Sequence, residues 1–98
     1  MQTKGNAIEK IKAMKEYFER ECPGMSVEVD EDFDRMAPIF RFYNGTEYVG
    51  QFRLSRQLID DTPPPEIMRR MERLNWKILM QSRPVIFTSN GFEFLPTT

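Results

Sequence analysis

The chain contains no histidine, and its 98 residues include one cysteine, Cys22, and one tryptophan, Trp76. Missing histidine removes the commonest general base, the usual activator of a serine or cysteine nucleophile, and most transition-metal sites. A lone cysteine permits neither an intrachain disulfide nor a CxxC site, so a reducing, cytoplasmic setting is the expectation. Glycine is sparse. Gly5, Gly24, Gly45, Gly50 and Gly91 are spaced neither as a phosphate-binding loop nor as a dinucleotide fingerprint. No apolar run approaches the length of a membrane span, and residues 1 to 20 carry Lys4, Lys10, Lys12 and Lys15 in place of a continuous apolar segment. The formal charge is −1, so no global field draws the chain toward nucleic acid or anionic lipid. These absences predict a soluble, unprocessed, non-enzymatic protein that needs no cofactor and does not engage a membrane.

What is present is β-hairpin chemistry. Ile39 to Leu54 forms two alternating, aromatic-rich runs hinged at Asn44-Gly45. A two-residue turn centred on Asn44-Gly45 would set Phe40 and Phe42 on the opposite side of the sheet from Tyr48, Phe52 and Leu54. A three-residue loop with Gly45 as a left-handed bulge shifts the pairing by one residue and gathers all five on the core face. That register also sets Arg41 against Glu47 and Ile39 against Val49 on the outer face. A second hairpin follows at Asn90-Gly91, where a two-residue turn pairs Phe87 with Phe94 and puts Val85, Phe87, Phe92 and Phe94 on one side.

Two helical patterns bracket these strands. Asn6 and Glu9 have capping-box spacing, and Ala7, Ile8, Ile11, Met14, Phe18 and Cys22 then fall on one side until Pro23-Gly24 ends the helix. On that stripe Cys22 reads as a buried, inert thiol. Val27 and Val29 alternate with polar residues in a short strand, and Ser55 to Asp60 reads as one helical turn that tucks in Leu58 and Ile59. The second long helix is predicted from near Pro64 to Arg83-Pro84, with Ile67, Met71, Leu74 and Ile78 as its apolar stripe, flanked by Met68 and Leu79. Its opposite arc carries Arg69, Arg70, Arg73 and Lys77, with Trp76 and Met80 close by.

The order of elements predicts a single α+β domain over residues 1–98: helix, three strands, helix, two strands. The sheet is expected to be five-stranded and mostly antiparallel, with both helices on one face. Its outer face would expose Ile39, Val49, Ile86 and Leu95, more apolar surface than a monomer needs.

Two motifs invite chemistry. Asp30-Glu31-Asp32-Phe33-Asp34 has the alternation of a DxDxD cation loop, but Arg35 and Arg41 stand where an EF-hand requires glycine and glutamate, so a solvated acidic turn is the plainer reading. The basic arc admits a nucleic-acid reading, with arginines on phosphates and Trp76 stacked on a base. The helix-strand-strand-strand-helix start resembles double-stranded-RNA-binding domains in element order, although the second helix opens Pro-Pro-Pro-Glu rather than with lysines. The full order resembles class I type III secretion chaperones, small dimeric α+β proteins that bind partner segments; this likeness transfers no residue. The leading expectation is a non-catalytic protein-interaction domain, homodimeric, with Arg69, Arg70, Arg73, Trp76 and Lys77 as candidate contacts. The alternative is a nucleic-acid-binding module using the same arc.

Overall fold

The computed structural model describes residues 3–30 and 38–95, with side chains from residue 8 onward. These residues form four helices and five strands: α1 (Thr3–Glu21), β1 (Ser26–Asp30), β2 (Ile39–Asn44), β3 (Glu47–Leu54), α2 (Arg56–Asp61), α3 (Pro64–Arg73), α4 (Trp76–Ser82), β4 (Val85–Thr88) and β5 (Gly91–Phe94). The strands lie in sequence order in one sheet. Every neighbouring pair is antiparallel except β3 and β4, which run parallel because α2, α3 and α4 carry the chain back across the sheet. This is the expected α+β domain, with its mostly antiparallel sheet and its helices on one face. One core cluster joins Ile11, Met14 and Phe18 of α1 and Ile67 and Met71 of α3 to the sheet residues Val27, Phe40, Phe42, Phe52, Leu54, Val85 and Phe87.

The first hairpin meets the need for one extra residue, but in a different place. The loop is Gly45-Thr46, with Asn44 opposite Glu47 and Tyr43 opposite Tyr48. The bulge lies within β3 at Val49, since Phe42 pairs with Gly50. Without Val49 as the extra residue, Phe40 and Phe42 would face away from Phe52 and Leu54. Gly45 does take a positive φ, 67°, as the tight turn demands. Moving the bulge changes four assignments. Tyr48 is not a core residue: it lies on the outer face, 51% exposed, with its ring 6.0 Å from Tyr43. Val49 packs against the core cluster instead of facing outward. Arg41 stands opposite Gln51 and Glu28 rather than Glu47, and its guanidinium lies 3.5 Å from the Asp30 carboxylate. Ile39 pairs with Arg53 rather than Val49, and it is buried. The expected apolar outer face is therefore much reduced.

The second hairpin turns one residue earlier than Asn90-Gly91, through Ser89-Asn90, with Phe87 opposite Phe92 and Val85 opposite Phe94. The four apolar residues still share the helix side, because a shift of the turn by one residue moves both strands together. In α1 the helix starts at Thr3, three residues before Asn6, and Ile8 is exposed rather than on the buried stripe. α2 forms as expected: the Ser55 hydroxyl accepts from the Leu58 N–H at 3.1 Å, and Leu58 and Ile59 are buried.

The second long helix is two helices. Asn75 sits in the left-handed region at φ 58°, ψ 55°, and ends the run of α3 before α4 begins. Asparagine tolerates this conformation better than most side chains. A left-handed residue resets the helical phase, so the 100° progression from Ile67 through Leu74 does not continue to Ile78. Ile78 is 69% exposed, and Trp76 and Met80 enter the core in its place.

Candidate partner-binding surfaces

The break at Asn75 opens a cleft of about 320 Å³ between the end of α1 and the α3–α4 junction, lined by Glu21, Glu72, Asn75, Trp76, Lys77 and Ile78. Trp76 is its floor. The indole is 1% exposed and sits among Tyr17, Phe18, Phe42 and Phe52, with ring centroids 4.9 to 6.4 Å away. Lys77 bridges the mouth, its Nζ 3.4 Å from Glu21 Oε1 and 5.8 Å from the centre of the Trp76 ring. On the other wall the Tyr17 hydroxyl donates to Glu72 Oε2 at 2.5 Å. Both carboxylates are thus already engaged. Cys22, one residue after Glu21, is buried, and that burial pushes its thiol up from its ordinary value against the opposing charge of Lys77. Such a thiol is a poor nucleophile.

Tyr17 makes the cleft wall sensitive to alkali. Burial, then the hydrogen bond and charge of Glu72, push its phenol well above the ordinary tyrosine value, against an opposing pull from Trp76. A raised value means that the folded protein keeps the proton after the unfolded chain has lost it. Stability is therefore whole below about pH 10 and falls above it, by at most about 1.4 kcal/mol per pH unit for this group. Tyr17→Phe is expected to cost about 1 kcal/mol at pH 7 and to make the alkaline slope shallower in urea titrations between pH 9 and 11. An unchanged slope in the variant would refute the linkage.

The structure separates the five predicted contact residues. Arg69 and Arg70 both reach Glu66, at 2.7 and 3.2 Å. Together they hold the Glu66 carboxyl below its usual range, the hydrogen bond from Arg70 first and the charge of Arg69 second. Arg73 is exposed and has no ion-pair partner among the described residues. Lys77 is tied to Glu21, and Trp76 is a core residue that offers no surface anchor. The arc is a salt-bridged helix surface in which three of four cations face carboxylates, Arg69 and Arg70 sharing one. Of the acidic DxDxD stretch at positions 30–34, residues 31–34 lie outside the described residues. Among the described residues no cluster of three or more histidine, cysteine, aspartate or glutamate side chains could hold a metal ion.

The sequence reading missed a second surface, at the edge of the sheet. Among the described residues β5 pairs only with β4, and no helix packs along it as α1 packs on β1. Phe92 and Phe94, on the helix side, are consequently 36% and 41% exposed. Arg83 stacks on Phe94 at 4.7 Å and leaves Phe92 uncovered on that side. The direction of the backbone groups follows from two hydrogen bonds. Leu95 N–H donates to the Pro84 carbonyl at 2.9 Å, and Ser55 N–H donates to the Phe87 carbonyl at 2.9 Å. In an antiparallel ladder residues alternate between hydrogen-bonded and non-bonded pairs. Leu95, Glu93 and Gly91 therefore turn their N–H and C=O groups toward β4, while Phe92 and Phe94 turn theirs to the open edge.

These features define an α+β domain with an open, aromatic strand edge and a helix cleft whose carboxylates are paired with neighbouring side chains. Comparison of the chain with protein-family models, curated proteins and solved structures found no match in any of the three. Among the described residues, no helix is long and apolar enough to cross a membrane.

Proposed function

We propose that this domain works without catalysis, as a protein-interaction module that self-associates. The observation that carries this reading is the pair of phenylalanines on β5: two large apolar rings left partly exposed, on a strand whose outward N–H and C=O groups have no partner among the described residues. Open apolar edges are surfaces that proteins ordinarily blunt with charge, proline or a covering element unless they are used.

Sedimentation velocity from about 1 to 300 μM tests it, a range suited to the weak end of small interfaces. The expected result is a concentration-dependent rise from the 11.7 kDa monomer toward twice that mass. A monomer across the whole range, or retardation of DNA or RNA at low salt that is lost in an Arg70→Glu, Arg73→Glu variant, would replace this reading with another.

A further inference from the structure

We infer that the partner at β5 is a second copy of this chain, added as an antiparallel strand with the two-fold axis through Glu93. This rests on the self-association reading and names its interface. The edge offers two outward-facing residues, Phe92 and Phe94, and a two-fold antiparallel pairing must match outward-facing residues with each other. Three registers satisfy that condition. Centring the axis on Phe92 pairs Phe94 with Asn90, which belongs to the turn. Centring it on Phe94 pairs Phe92 with Pro96, which has no N–H to give. Centring it on Glu93 pairs Phe92 with the second copy's Phe94 and Phe94 with its Phe92, so that every outward N–H and C=O of the four phenylalanines finds a partner.

The same register explains the exposed rings. Paired residues share a face, so the four phenylalanines meet on the helix side of a continuous ten-stranded sheet, a count that doubles the five strands of one copy. The other edge is a poorer mate. α1 lies along β1 and already covers Val27, and β1 presents Glu28 and Asp30 on the outer face, where they would meet Glu93. Pairing β5 with itself also closes the assembly at two copies, whereas pairing β5 with β1 is head-to-tail and yields a filament or a larger ring.

The register has one distinctive cost. Glu93 faces its own symmetry mate at the axis as a non-hydrogen-bonded pair, the closest kind of cross-strand neighbour, and like charges there repel. Within its own chain Glu93 stands opposite Ile86, which in turn pairs with Arg53 on β3. The axis can thus be read by charge exchange. Glu93→Thr is expected to tighten the homodimer by about three- to ten-fold, and an equimolar mixture of the parent with Glu93→Lys is expected to form a heterodimer about ten-fold tighter than either homodimer. Phe92→Glu is expected to abolish association, with circular dichroism confirming that the variant remains folded. A Glu93→Cys variant is expected to cross-link under mild oxidation, since Cα atoms about 4.5 Å apart suit a disulfide, while Gln57→Cys on exposed α2 does not. If the parent dimerises but the charge exchange has no effect and Glu93→Cys does not cross-link, the dimer uses another surface and this interface is wrong. If no dimer forms at any concentration, the self-association reading itself falls.

Discussion

Replacing Gly50 with alanine destabilises the domain by about 3 kcal/mol or more, read as a large drop in the urea midpoint with little change in slope. The reason is contact between α4 and the bulged strand β3. A Cβ at Gly50 would overlap the carbonyl oxygen of Met80 and lie 2.8 Å from its sulfur. A methionine side chain can swing aside, but a helix carbonyl can move only with its helix. α4 would have to lift from β3 and take Trp76 with it. The opposing effect of alanine, a stiffer unfolded chain, is worth only about 0.4–1 kcal/mol and does not offset this. Because the obstruction is backbone, adding Met80→Ala to Gly50→Ala is expected to rescue little. A Gly50→Ala protein as stable as the parent would show that α4 does not sit where this packing requires.

Trp76→Ala is expected to cost about 3–5 kcal/mol, a large fraction of the 5–15 kcal/mol that holds a domain of this kind together. Its ring is in contact distance of Phe18, Phe42 and Phe52 at once, so its loss leaves a cavity that elements from both layers would have to collapse to fill. Circular dichroism is the right probe, because the substitution removes the chain's one tryptophan. Trp76→Phe, which keeps an aromatic body in the same place, is expected to retain most of the stability. The contrast separates two roles. A surface anchor would lose partner binding with stability intact, whereas a core residue loses stability with either partner present or absent. Near-parental stability of Trp76→Ala would return Trp76 to the surface.

How much of this was legible depends on how local the cause is. The strands, the two hairpins and the sidedness of Phe40, Phe42, Phe52 and Leu54 follow from alternation, a property of neighbouring residues that survives a misplaced turn. The need for one extra residue in the first hairpin was legible for the same reason. Its position at Val49 was not. It depends on Gly50 lying beneath Met80, some thirty residues later in the chain. The helix break was half legible. Met71 and Trp76 are five residues apart, a spacing no continuous apolar stripe uses, while Trp76 and Met80 form a stripe of their own at four. With no glycine or proline at Leu74-Asn75, periodicity favoured one long helix, and Ile78 and Trp76 exchanged their true environments in that reading.

The surface that matters most for the proposed function was the least visible. Val85, Phe87, Phe92 and Phe94 have one pattern and read alike, yet the first two are buried and the last two are open. Sequence alone determined that all four share a face, because strand geometry alternates side chains whatever surrounds them. Only the tertiary structure decided that the helices extend over β4 and stop short of β5, because coverage depends on where α2, α3 and α4 are set by the crossover. The same division runs through the helix arc: helical spacing of three and four already put Arg69 and Arg70 beside Glu66, and only the tertiary structure brought Lys77 to Glu21. Local alternation is written in adjacent residues, whereas burial is a property of what distant segments bring to the same place.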